Sequence, residues 1–408
     1  MNLSFFIARR YLVKQKGTFS SFIIRLAIVA TALSVAVMIA AMAIVTGFQY
    51  AVSEKMFGFM GHVQVRNYNE TGSSGGAFAD PVYADPALMQ QLRSIPQVAA
   101  VSPFANRPVI VQANNLLEGL MLKGVDKNYR FQRGITMLGN AIDYTDTSYS
   151  KDILLSKTTA DRLNVAVGDT VQINFIDESI PRIRRVRVAG FYHSGMEDMD
   201  KFYAVCDLRL LQRLNNWTAD SINGYQLDLA DANDADSVAA LIHFNLISAP
   251  LAVYTTAGTY TFIFDWLKLQ DVNSLLLIVI MAIVAVINMG AALLIIIVDR
   301  AVMIGLLKAL GMSFETTRNI FLSIAAIVGG AGILLGNLLA FGICYLQLRY
   351  GFLKLPENSY YMRYVPIRIV WWKVVVVDIT TLCLCIFCMW LPTLYIRRVQ
   401  PAKVLQFK

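Results

Sequence analysis

Charge is scarce in this chain. Asp, Glu, Lys and Arg make up 16% of its 408 residues, against 56% hydrophobic residues, and the mean hydropathy is +0.52. Soluble domains carry about 25% charged residues, which excludes a purely water-soluble fold as the first reading. Cysteine is sparse too. Of five, only Cys206 falls in the long polar region, so no disulfide can form within that region. Cys344, Cys383, Cys385 and Cys388 lie in apolar runs, where thiols act as small packing residues. The catalytic signatures HExxH, GxSxG and GxxxxGK[ST] are missing, as is any paired nucleophile and base. No catalytic residue, metal site or resident cofactor is therefore expected, and any nucleotide hydrolysis belongs to another chain.

What the sequence does have is four nearly uncharged runs, over residues 26–45, 272–298, 320–346 and 374–391, the last carrying Asp378 near one end. A bilayer core needs about 20 residues of helix, so an integral membrane protein with four spans is expected. The first run is too long for a signal-peptide core and reads as an uncleaved helix. Both ends are basic: Arg9, Arg10, Lys14, Lys16 and Arg25 precede the first run with no acid, and Arg397, Arg398, Lys403 and Lys408 follow the last. The positive-inside rule puts both ends in the cytoplasm. Arg349, Lys354, Arg363, Arg368 and Lys373 lie on the outer side in this scheme and fit it less well. The net charge of +8 is thus a topology signal rather than a nucleic-acid footprint.

Residues 49–265 have globular composition and read as an outer α+β domain with antiparallel sheets in two lobes. His62, Gln64 and Arg66 alternate with Val63 and Val65 as a strand with one wet face. Asp85 before Pro86 caps a short helix to Ile95. Turns are expected at Asn114-Asn115 and Gly168-Asp169. His193, Glu197, Asp198 and Asp200 offer ligand types for a divalent cation, although acidic loops between strands commonly bind nothing. Beyond the domain, Phe262, Trp266 and Leu269 recur at helical spacing, so the second membrane helix begins near Thr259 and forms a rod of about 60 Å. Asp299 and Arg300 mark its inner end, the first span exits at Gly47-Phe48, and the fourth stops at Pro392. IGLLKALG then reads as a short amphipathic helix ended by Gly311. Gly332 and Gly336 form a GxxxG, for packing within the chain or for a dimer seam.

The expected divisions are a cytoplasmic amphipathic segment 1–25, span 26–48, periplasmic domain 49–265, stalk and span 266–298, and cytoplasmic helix segment 299–318. Span 319–348, outer loop 349–373, span 374–396 and cytoplasmic tail 397–408 complete the chain.

FIARRYL, GHVQV, VAGFYHSGMEDMD, FDWLKLQDVN, INMGAALLIIIVDR, IGLLKALG, YYMRYVPI and QPAKVLQF occur in that order across nearly the whole chain. In these pieces the sequence resembles the MacB/FtsX-like ABC permease superfamily, and most of all the transmembrane subunits of lipoprotein-releasing (Lol-type) transporters. The resemblance implies a bacterial inner-membrane permease working by mechanotransmission. It would pair with a second copy or a paralogue, and with two copies of a separate ATPase that holds ATP and Mg. It also implies lipoprotein substrates, a periplasmic lipoprotein chaperone and lipid contacts. Carried over, Arg300, Ile304, Gly305, Leu306, Lys308, Ala309 and Gly311 would couple to the ATPase. Met42, Val45, Phe48, Ile263, Phe264 and Leu267 would meet the acyl chains, and Ile176, Ile180, Pro181 and Arg182 the carrier.

Three departures stand out. Met303 replaces the usual acid before the coupling-helix glycine, Ser156-Lys157 replaces a frequent glycine, and the carrier loop is short and basic. A MacB-like efflux permease or an FtsX-like regulator of cell-wall hydrolases is the neighbouring alternative, and a ligand-binding receptor or membrane enzyme the one from another class.

Overall fold

The computed structural model describes residues 19–68, 81–129, 135–145, 148–175, 182–299, 303, 305–306, 310–356 and 360–398. The chain forms two compact units. One comprises residues 50–266 with 355–363, and the other the remaining residues.

The first unit is built on strands β1 (Val63–Asn67), β2 (Val82–Tyr83), β3 (Val98–Ala113), β4 (Leu116–Val125), β5 (Thr136–Gly139) and β6 (Asp152–Ser156). β7 (Thr170–Phe175), β8 (Arg182–His193), β9 (Tyr203–Asp207), β10 (Ser221–Ile222), β11 (Gly224–Leu229) and β12 (Leu251–Thr255) follow. Ten of these strands join one sheet in the order β12-β1-β11-β3-β4-β9-β6-β8-β5, with β7 pairing β3 and β8, and β2 and β10 form a separate pair. The expected antiparallel sheets in two lobes are thus one continuous mixed sheet. β4 pairs β9, and β6 pairs β8, in parallel, because both connections cross over instead of turning back. Asn114 and Asn115, both at positive φ, make the two-residue turn between β3 and β4 and set their register at Ala113 opposite Leu116.

The alternation in β1 also has a different meaning from the one its sequence suggests. β1 pairs along both edges with β12 and β11, and the face carrying His62, Gln64 and Arg66 is buried as well, with the Phe57 ring of α1 stacked 4.4 Å from His62. Arg66 stacks on the Tyr254 ring at 4.1 Å and Gln64 Nε2 donates to the Met60 carbonyl at 2.9 Å.

Four helices are long and apolar enough to cross a membrane among the described residues. In chain order, α1 is Phe19–Met60, α2 Pro86–Arg93, α3 Lys157–Leu163, α4 Glu197–Phe202, α5 Leu208–Leu214, α6 Ala235–Asn245 and α7 Thr256–Thr259. α8 (Thr261–Asp299), α9 (Phe314–Tyr350) and α10 (Trp371–Arg398) complete the set, and with α1 are the four long ones. α1 does not end at Gly47. A Cβ at Gly47 would lie 2.6 Å from the Pro366 carbonyl oxygen, so the glycine serves close packing and the helix continues. Likewise α10 runs through Pro392 to Arg398. α9 is capped by Ser313, whose Oγ accepts from the Thr316 amide, and ends at Gly351 in the left-handed region.

Candidate functional site

In the unit holding the apolar helices, side-chain size sets the packing. Cβ atoms at Gly332 and Gly336 would fall 2.8 Å from Thr31 Cβ and 2.7 Å from the Ala32 carbonyl oxygen, so the GxxxG is the seat of α1 on α9 within the chain. α9 and α10 are joined by a polar link, Asn337 Nδ2 to Asp378 Oδ2 at 3.0 Å. α1 and α8 are tied by Gln49 Nε2 donating to the Leu267 carbonyl at 2.9 Å. At the other end Met312 and Phe314 pack against Ile23, Ile296 and Phe321.

In the sheet unit, the end of α1 is held by groups from several strands. A helix end leaves carbonyls without intrahelical donors. Here the Phe59 carbonyl accepts from Lys123 Nζ and, at 3.3 Å, from the Tyr129 hydroxyl. Lys123 Nζ also donates to Gln226 Oε1 at 2.7 Å and lies 4.9 Å from the Phe59 ring centroid and 5.0 Å from that of Tyr129. Burial lowers the Lys123 ammonium to about 7, opposed by the charge of Asp228. Gly61, at φ +72, turns the chain from α1 into β1, and Thr256 Oγ1 closes that turn by donating to the Gly61 carbonyl at 2.6 Å. His62 Nδ1 accepts from the Leu229 amide at 3.1 Å. Burial pulls the imidazole down to about 4, partly offset by Asp231, so His62 is a neutral acceptor in the interior.

The acidic stretch around Asp200 is a folded turn. The Asp200 carboxylate accepts from the Ser194 amide at 3.0 Å, Ser194 Oγ at 2.7 Å and the Gly195 amide at 3.3 Å, with His193 Nδ1 3.0 Å away. Glu197 pairs with Lys201. Ser156 caps α3 by accepting from the Thr159 amide, and its hydroxyl donates to the Asp200 carbonyl. The Ser156-Lys157 departure therefore supplies a cap that glycine could not. Among the described residues no group of three or more His, Cys, Asp or Glu side chains could hold a metal ion.

Of the residues expected at the acyl chains, Met42, Phe48 and Leu267 are buried, whereas Val45, Ile263 and Phe264 are half-buried. Met42 packs with Val374, Val377 and Ile333, and the Phe264 ring lies 5.5 Å from that of Phe57, tilted by 31°. Of the expected coupling residues, Gly305 is buried, Leu306 is exposed, and Gly311 sits at φ +88 with open space where a Cβ would be. Arg300, Ile304, Lys308 and Ala309 lie outside the described residues, as do Ile176, Ile180 and Pro181, and Arg182 opens β8. The amphipathic reading of the N-terminal segment rests on residues 3–18, which are also outside them. Sequence reasoning missed Lys123 and Tyr129. Lys123 in the otherwise apolar GLMLKGV was the available signal, since a lysine in a strand core must find a partner.

Long apolar helices combined with a ten-stranded α+β unit define a helical membrane protein with an ordered domain beyond its apolar helices. The MacB-like periplasmic core domain matches residues 26–243 and the FtsX-like permease C-terminal domain residues 275–401. The chain belongs to the MacB/FtsX-like permease family. It is 24% identical over 425 residues to the lipoprotein-releasing system transmembrane protein LolC of Xylella fastidiosa, covering 100% of this chain and 99% of that protein. It is also 24% identical over 425 residues to LolE of Haemophilus influenzae, covering 99% of each. The crystal structure of the periplasmic region of MacB from Actinobacillus actinomycetemcomitans aligns with a TM-score of 0.36 at 14% identity, covering 49% of this chain and 91% of that one.

Proposed function

We propose that the chain is a permease subunit of an ABC transporter that extracts lipoproteins from the bacterial inner membrane and passes them to a periplasmic carrier. The observation that carries this reading is end-to-end similarity to lipoprotein-releasing transmembrane proteins on both sides of the LolC and LolE pair. α1, α8, α9 and α10 are the four spans, both termini are cytoplasmic, and the sheet unit is periplasmic. ATP and Mg belong to a separate ATPase present in two copies, and a second permease copy or a paralogue completes the membrane part.

Residues 300–311 seat on the ATPase, and α8 transmits its closure outward. An unbroken helix of 39 residues, about 58 Å at 1.5 Å per residue, suits that task. Val45, Ile263 and Phe264, which are half-buried in the single chain, are the better placed of the acyl-contact set. The short segment 176–185, made basic by Arg182, Arg184 and Arg185, is the candidate carrier contact.

The first test is a pull-down of the chain in lipid nanodiscs, with mass spectrometry, with and without a non-hydrolysable ATP analogue. Acylated proteins retained with an ATPase, and lost on nucleotide binding, are expected. An ATPase retained with an adaptor or a cell-wall hydrolase, and no acylated protein, would overturn lipoprotein release in favour of efflux or hydrolase regulation.

A further inference from the structure

The sheet unit contains a cavity of about 420 Å³, of whose lining only Ile263 belongs to the residues assigned to acyl contact above. Its walls are Met121 from β4, Met196 and Met199 around α4, Phe202 at the end of α4, and Ile263 in the first turn of α8. No lining residue carries a charge. The polar side-chain groups at the wall are the hydroxyls of Tyr203 and Tyr260, which face each other at 3.4 Å, while Tyr260 also points at Met60 Sδ at 3.6 Å. Such a wall offers an occupant no ion pair, and its two hydroxyls are already engaged. The occupant must therefore be apolar along its length.

Two further observations narrow it. Met196 and Met199 are buried and Phe202 is 58% exposed, so an adaptable thioether floor lies under an aromatic lip. Unbranched thioethers fit a chain of no fixed shape better than a rigid ring system. Gly119 lines the same space, and a Cβ added there would meet no atom within 4 Å. Ile263 lies nine residues ahead of the uncharged run 272–298 of the same helix, so the lining includes a helix that continues as membrane-type sequence.

We propose that this cavity binds an alkyl chain, as a holding site in the outer unit that shares only Ile263 with the residues assigned to acyl contact. The chain comes either from a membrane lipid or from an acylated peptide. The proposal deepens the lipoprotein-release reading but fails separately from it, because the readout is the site of attachment rather than release.

The full chain in lipid nanodiscs is irradiated with a palmitic acid analogue bearing a terminal diazirine, and adducts are mapped by mass spectrometry. Adducts on the peptides containing Met121, Met196 or Met199 are expected, with loss of labelling when palmitate competes. Gly119→Ala, Gly119→Leu and Gly119→Phe fill the space in steps, and labelling should fall in that order, by about tenfold for leucine. The thermal unfolding midpoint should stay unchanged for the alanine and leucine variants. Stronger competition by a triacylated lipopeptide than by phospholipid assigns the acylated peptide as source, and equal competition assigns membrane lipid; both uphold the site. Adducts confined to the apolar runs of α1, α8, α9 and α10, or labelling undiminished in the leucine variant, would overturn it.

Discussion

Lys123 is a charge kept inside a sheet, and its burial has a measurable signature. Its ammonium is lowered to about 7 in the folded chain against 10.5 when unfolded. Between those values the unfolded state binds more protons, so stability rises with pH across that window, and the full penalty is present below 7. The buried tyrosines Tyr129, Tyr192 and Tyr203 are raised by burial, which reverses the trend above pH 10. The expected outcome is an unfolding midpoint of the sheet unit that climbs from pH 7 to pH 9 in the full chain, with the climb flattened in Lys123→Met. At Asp200 the interest is in contrast. Asp200→Ala removes the acceptor of three donors and should cost about 3 kcal/mol, whereas Glu197→Ala breaks a partly exposed pair worth about 0.5 kcal/mol. Denaturant unfolding of both variants separates a structural turn from a ligand site: equal stability with lost activity would restore the ligand-binding reading.

At the scale of the element, glycines that look alike in sequence divide into two sets. Gly332 and Gly336 meet α1 directly, but Gly330 and Gly342 have nothing within 4 Å of an added Cβ. Gly336→Leu should lower thermal stability by about 1–3 kcal/mol through overpacking, and Gly342→Ala should leave it unchanged or slightly raised, as seen in detergent melts. What could be read from the sequence follows the same division between local and distant causes. Asp85 capping α2, the Asn114-Asn115 turn and the long α8 were legible because each depends on residues adjacent in the chain. The burial of β1 was not, since its edges pair with β11 and β12, more than 150 residues away, and Arg66 on its second face packs on Tyr254 of β12. For the same reason the close packing of Gly47 against the distant Pro366 backbone was not legible.

For the whole molecule, the proposed transport function makes coupling to a separate ATPase the quantity to test. Gly305, in the proposed coupling segment, is buried. Gly305→Trp should therefore leave ATP hydrolysis by the partner intact while lowering lipoprotein release at least tenfold, the equivalent of about 1.4 kcal/mol of coupling. Parallel ATPase and release assays in proteoliposomes check this, and unchanged release would refute the coupling assignment. The site residues were only partly legible at this scale. Motif order identified the family, but which apolar side chains are free and which are packed inside one chain depends on helix contacts, as Met42 and Val45 show.

The Asn337 to Asp378 link carries a further consequence, for how the chain is made. α10 is the least apolar of the four long helices, and Asp378 is the one formally charged residue within residues 374–396. An aspartate in a membrane helix opposes insertion by about 3 kcal/mol. Asn337 belongs to α9, which leaves the ribosome first, so a polar partner is already waiting when α10 arrives. With α10 as the fourth span, as proposed, its insertion depends on its predecessor, and Asn337→Leu should strand the C-terminus on the wrong face in a fraction of chains, whereas Asp378→Leu in the same background should restore it.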